Sequence, residues 1–209
     1  MDELNKLAKT VSEEAWTQLA KTACETFEKL IYPLTATTEG IGRLIEIRFN
    51  ALQDEQKIIA AKCFQEVSEK IENSKNRQNA GVVIKPVIVY ESLDNTDNQT
   101  DETIRSLWAN LLANEFIDGN VHPEIAKLLT RITSKDALLL LEISKNDSEP
   151  LPIKVLKAMA SSYTLGLLNK GKTFNHVHLE NLGLIHDLEK NWYLTTAGRE
   201  FLRCVSDPQ

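Results

Sequence analysis

Glycine and proline are scarce in this chain, with eight and six among 209 residues. That scarcity argues against a β-rich protein and against a disordered one. Long apolar runs are missing too, and none approaches the ~20 residues a helix needs to span a bilayer. The opening MDELNKLAKTVSEEAW is acidic and amphipathic and lacks the apolar core of a signal peptide, so a cytoplasmic location is expected. The triplets NQT and NDS then have no part as glycosylation sites. Cysteine is limited to Cys24, Cys63 and Cys204, an odd number without a C-x-x-C, which fits a reducing compartment. Two of the three fall in apolar helical stripes, where a thiol behaves as a small hydrophobe. Basic charge is short as well. The net charge of −6 leaves no overall field to steer the chain onto nucleic acid. Residues 1–149 hold 17 Lys/Arg against 25 Asp/Glu, and residues 150–209 hold 7 against 5, so only the C-terminal part is mildly basic.

What is present is helical periodicity. Leu4, Leu7, Val11, Ala15, Leu19, Ala23, Phe27 and Leu30 mark one face of a helix over about 3–31, which Tyr32-Pro33 should end. RLIEIRFNAL follows as a short helical piece, then a helix over about 54–75 with Ile58, Ala61, Phe64, Val67 and Ile71 on one face. NSKNRQNAG is a loop. VVIKPVIVYESL is rich in β-branched residues, but Pro86 is awkward inside a strand and suits the first position of a helix over 86–93. DNTDNQTDE is expected as an acidic loop before ETIRSLWANLLANEF, a helix turning Ile104, Leu107, Trp108, Leu111 and Leu112 inward. Asn110 and Asn114, one turn apart, either bond across a helix interface or face solvent. DGNVHP is a turn, EIAKLLTRI a short helix, and Thr133 or Ser134 ahead of Asp136 a helix cap.

From about residue 134 the pattern changes. PIKVLKAM and TLGLLNK are short helical pieces, followed by a helix over about 174–183 and a corner at Leu182-Gly183. LIHDLE and NWYLT then form a hairpin, and a last helix starts at Thr195/Thr196. This order resembles a winged helix-turn-helix. The expected fold is mainly α. A bundle-like helical region, 1–133, precedes a winged-helix-like module with a small β-hairpin, 134–209.

Four features invite a chemical reading. In PLTATTEGIGRLIEIRF, the residues Thr37, Thr38, Gly40, Gly42 and Arg43 could present backbone N–H groups and a guanidinium to a phosphate or partner. The loop lacks the Walker Lys-Ser/Thr and the strand a dinucleotide fingerprint requires, so a capped turn with glycines at a close helix crossing is preferred. Glu91, Asp94, Asp97, Asp101 and Glu102 could ligate a cation. An EF-hand from Asp94 would need Gly and Glu where Gln99 and Arg105 stand, so a solvated charged loop is preferred. His122, His176, His178 and His186 show no zinc spacing, and on a helix His176 and His178 point about 200° apart. No nucleophile elbow, reactive-cysteine context or phosphoryl-transfer loop occurs. Lys170, Lys172, His176 and His178 are the candidate nucleic-acid contacts, with Lys190, Arg199 and Arg203 nearby in sequence. TFNHVHLENLGL itself carries no Lys or Arg, which makes it a poor recognition helix.

PLTATTEGIGRLIEIRF, LWANLLANEF with HPEIAKLLTRITSKDALLLLEI, and the tail LENLGLI with YLTTAGREFLRCV together resemble the Abi-alpha family. These are bacterial abortive-infection (phage-resistance) proteins, also grouped as a domain of unknown function. The resemblance spans roughly residues 30–205 and brings no active-site residues with it. It implies a cytoplasmic protein of phage defence. A non-enzymatic action without cofactor or metal, through a protein partner or self-association, is the leading expectation. A DNA-binding regulator acting through the winged helix is the first alternative, and a nuclease-like enzyme using His and acidic residues the second.

Overall fold

Apolar positions spaced three and four apart do form helices here. The structure, a computed structural model, describes residues 13–35, 41–74, 82–97, 99–147, 173–188 and 191–208. By internal packing the chain divides into two compact units, residues 1–131 with 204–209 and residues 132–203.

The first described helix of the first unit is α1 (Glu13–Thr35). Phe27 of its predicted stripe is buried, while Ala15 is exposed. The expected stop at Tyr32-Pro33 is not observed, because the helix runs on to Thr35. Pro33 lies in the last turn, where its missing N–H costs one bond, to the carbonyl of Lys29 at an exposed position. Next, α2 (Ile41–Asn50) starts inside the G-I-G, so Gly42 is helical rather than part of a loop. Its Ile45 and Phe49, one turn apart, are both 1% exposed. Then α3 (Asp54–Asn73) opens with Gln53 N–H donating to Gln56 Oε1 at 3.0 Å. Its buried face is Ile59, Ala60, Cys63, Phe64 and Val67, rotated from the predicted one; Ile58, Ala61 and Ile71 are only half-buried. Phe64 and Val67 fit either stripe, and Cys63, a small hydrophobe, decides between them. These helices meet at Phe27, which stacks on Phe49 at 3.8 Å between centroids and meets Phe64 edge-on at 5.1 Å.

Pro86 does start a helix, α4 (Pro86–Thr96), from the extended residue Lys85. The helix reaches further than predicted, so Asp94 and Thr96 are helical and the acidic loop is shorter. Asp97 is 4% exposed and accepts from Gln56 Nε2 at 3.1 Å, contrary to a solvated loop. In α5 (Glu102–Asp118), the cap Asp101 accepts from Thr103 N–H at 2.9 Å and Ile104 N–H at 3.3 Å. Trp108, Leu111 and Leu112 are buried as expected and Leu107 half-buried, but every residue from Trp108 to Ile117 is covered. A helix wrapped on all sides must be the centre of its unit. It ends at Gly119 in the left-handed region, φ 65°, and α6 (Pro123–Leu129) follows.

Among the described residues the second unit contains α7 (Ser134–Asp147), α8 (Phe174–Asn181), β1 (Ile185–Leu188), β2 (Asn191–Leu194) and α9 (Thr196–Val205), the last two residues of α9 belonging to the first unit. The predicted cap is present: Thr133 Oγ1 donates to Asp136 Oδ2 at 2.6 Å and accepts from Asp136 N–H at 3.3 Å. The Leu182-Gly183 corner is present as well, with Gly183 at φ 72°. The strands pair antiparallel, Ile185 opposite Leu194 and Leu188 opposite Asn191. Leu140, Leu179, Leu184, Ile185, Leu194 and Phe201 form this unit's core. The chain is mainly helical with a small C-terminal antiparallel hairpin. The helical pieces expected at 152–159 and 164–170 lie outside the described residues.

Candidate functional site

Glu115 lies in the fully covered stretch of α5, and its side chain is fully buried. Its Oε1 accepts from Lys85 N–H at 2.6 Å and Oε2 from Val121 N–H at 3.0 Å, with the Lys85 ammonium at 3.4 Å. Lys85 also donates to the Gly119 carbonyl. One carboxylate therefore fastens the lead-in to α4 and the turn after α5 to the central helix. Burial pushes the Glu115 pKa up, against the opposing pull of the Lys85 and Val121 N–H bonds and the Lys85 charge. The arrangement is that of a structural clamp, since all its donors are taken up internally.

A cleft of about 550 Å³ opens between α3 and α5 in the same unit. Glu66, Glu69, Lys70 and Asn73 line one side, Glu102, Arg105 and Ser106 another, and Asp207 and Pro208 close it. Arg105 Nε binds Glu66 at 2.9 Å across the cleft, and Lys70 pairs with Asp207. Below it Cys63 is fully buried, and burial pushes its thiol far up, so it is inert as a nucleophile. On α5, Asn110 Nδ2 donates to the Val205 carbonyl at 2.8 Å. Asn114 Nδ2 donates to the carbonyls of Cys204 and Ser206, each at 2.9 Å, and to Asn110 O at 3.0 Å. Of the two readings of this pair, the interface holds.

In the second unit Asp136 is 1% exposed. Burial would raise its pKa, but the Thr133 hydroxyl, Asn175 Nδ2 at 2.7 Å, the Thr133 N–H and the charge of nearby His178 together bring it below the usual value. His176 and His178 serve separate local roles on α8. His176 Nδ1 lies 2.7 Å from Thr173 Oγ1 at the helix start, its ring tilted against Trp192 at 4.8 Å, while His178 stacks on Phe174 at 6.0 Å. Among the described residues no three His, Cys, Asp or Glu side chains gather as a metal site.

The remaining sequence candidates lie partly within and partly outside the described residues. Thr37, Thr38, Gly40, Lys170 and Lys172 lie outside the described residues, and Arg43 is exposed in the first turn of α2. Of the supposed cation ligands, Asp94 binds Arg48 at 2.6 Å, Asp97 lies 3.8 Å from the same guanidinium, and Asp101 caps α5. Sequence reasoning passed over Glu115 and Gly198. Glu115 carried one legible signal, a carboxylate between Leu111-Leu112 and Phe116.

The architecture and sites define a mainly helical protein in which Glu115, Asp136, Asn110 and Asn114, buried polar side chains among the described residues, serve clamps, caps and cross-helix bonds. No described helix is long and apolar enough to cross a membrane. Residues 54–196 match the abortive infection alpha family, and the chain belongs to that family. No curated protein and no solved structure matches it.

Proposed function

We propose that this chain is an anti-phage protein that acts by binding a protein, its own copies included, rather than by catalysis. One observation carries the reading. Val87 and Tyr90, one turn apart on α4, and Val83 in the lead-in to it are 45%, 41% and 80% exposed. Large apolar side chains grouped in this way commonly mark a partner surface. The family assignment supports a place in abortive infection, and the free thiols of Cys24, Cys63 and Cys204 agree with a reducing cytoplasm. The reading also divides the chain near residue 133 into a helical region and a winged-helix-like module, 134–209. The hairpin followed by α9 supports that module, and so does a second unit spanning 132–203.

The test is the double variant Val87→Glu, Tyr90→Glu. Both positions are solvent-facing, so melting temperature should stay within about 2 °C, as surface changes usually do. Phage plating efficiency on cells carrying the variant should rise to that of cells without the protein. A variant that folds and still protects as the parent does would remove the surface from the mechanism.

A further inference from the structure

Backbone carbonyls are prominent in how the segment from Cys204 to Pro208 is held to the first unit. Three successive carbonyls, Cys204, Val205 and Ser206, accept from the two amide side chains of Asn110 and Asn114. Asn114 has two hydrogens for three acceptors, so none of its bonds is exclusive. Asn110 Oδ1 is buried without a hydrogen-bond partner, and a buried acceptor left unpaired costs free energy. Beyond the carbonyls, Asp207 pairs with Lys70, with the Asp207 side chain 77% exposed. Asp207 and Pro208 then form one wall of the α3–α5 cleft.

We propose that residues 204–208 are a displaceable strap over this cleft, with the Asn110–Asn114 pair as its latch and Lys70 as a second catch. In the closed state Asn110 Oδ1 in the latch is buried without a partner, and the deepest side-chain packing is that of Cys204 and Val205, which are 0% and 2% exposed. Release widens the cleft and bares Asn110 Nδ2, Asn114 Nδ2 and Lys70 Nζ. These are hydrogen-bond donors only, suited to acceptor-rich groups such as the carbonyls at another helix end. Asn110 and Asn114 are positioning residues in this device.

The protein carries its own reporters. Cys204 lies in the strap and Cys63 in the core of α3, and both are 0% exposed free thiols. Iodoacetamide labelling of the full chain, resolved by peptide mass spectrometry, reads each opening separately. Asn114→Ala should speed Cys204 labelling by about tenfold and Lys70→Gln by a few-fold, with Cys63 unchanged in both. Amide exchange over Ile185–Leu194 should also stay at parental rates, which separates strap release from opening of the second unit. The proposal is overturned if Cys63 or the hairpin amides accelerate in step with Cys204. It is equally overturned if neither variant changes Cys204. Should Asn114→Ala fail to fold, Lys70→Gln decides alone, since a surface ion pair is dispensable for folding.

Discussion

Glu115 fastens the Lys85 and Val121 segments to the central helix. Truncation to Ala would leave the N–H groups of Lys85 and Val121 unpaired, and the Lys85 ammonium without its carboxylate. Glu115→Ala should therefore lower unfolding free energy by about 3 kcal/mol in denaturant titration. Its pH dependence has a definite sign. A carboxyl whose folded pKa is raised contributes stability that is fully present below its ordinary value of 4.5 and lost as pH rises through the folded value. Glu115→Gln does not titrate, so the advantage of the parent over this variant should grow as pH falls from neutral toward 4.5. A difference that is flat across that window would mean that the Lys85 and Val121 contacts fully offset the burial of Glu115. Asp136 acts in the opposite sense: its lowered pKa contributes stability above 3.8 that is lost as pH falls through the folded value.

At the scale of elements, the decisive contact is where α9 meets the turn after α8. Thr195 Oγ1 donates to the Gly183 carbonyl at 2.6 Å and accepts from Gly198 N–H at 2.9 Å, which seats the first turn of α9 on that turn. A Cβ at Gly198 would stand 2.0 Å from the Leu184 carbonyl oxygen, which is backbone and cannot swing away. Gly198→Ala should cost about 3 kcal/mol. Gly183, at φ 72° with nothing within 4 Å of an added Cβ, should cost only about 1 kcal/mol as Ala. Thermal unfolding of each protein, followed by circular dichroism, separates the two variants; equal losses would contradict the geometry. Here the sequence was legible in part. The turn at Gly183, the hairpin and the Thr195/Thr196 start all follow from local turn and cap chemistry. Gly198 was not legible, because its requirement comes from a carbonyl fourteen positions earlier in the chain. The same holds for the G-I-G, where local sequence suggested a loop and α2 absorbs Gly42 into its first turn.

For the whole molecule, charge bears on what it can bind. With −6 overall and His176 occupied at the start of α8, the chain should show no salt-sensitive binding to a labelled duplex of about 20 base pairs. Fluorescence anisotropy at about 50 mM salt checks this. Binding there, lost on charge reversal of Lys170 and Lys172, would favour the DNA-regulator reading instead.

The sequence by itself determined the helical class, the helix start at Pro86, the caps at Asp136 and Thr195, the hairpin and the family. Each depends on residues within about one or two turns of each other, whose spacing and chemistry are written in order along the chain. Tertiary structure alone decided the rest. It set which face of α3 is buried, that Asp97 leaves solvent, that Glu115 clamps two segments, and that Asn110 and Asn114 hold carbonyls from residues 204–206. Those outcomes turn on desolvation and on partners tens of residues away, and a buried polar group shows its role only when the group that satisfies it is in place.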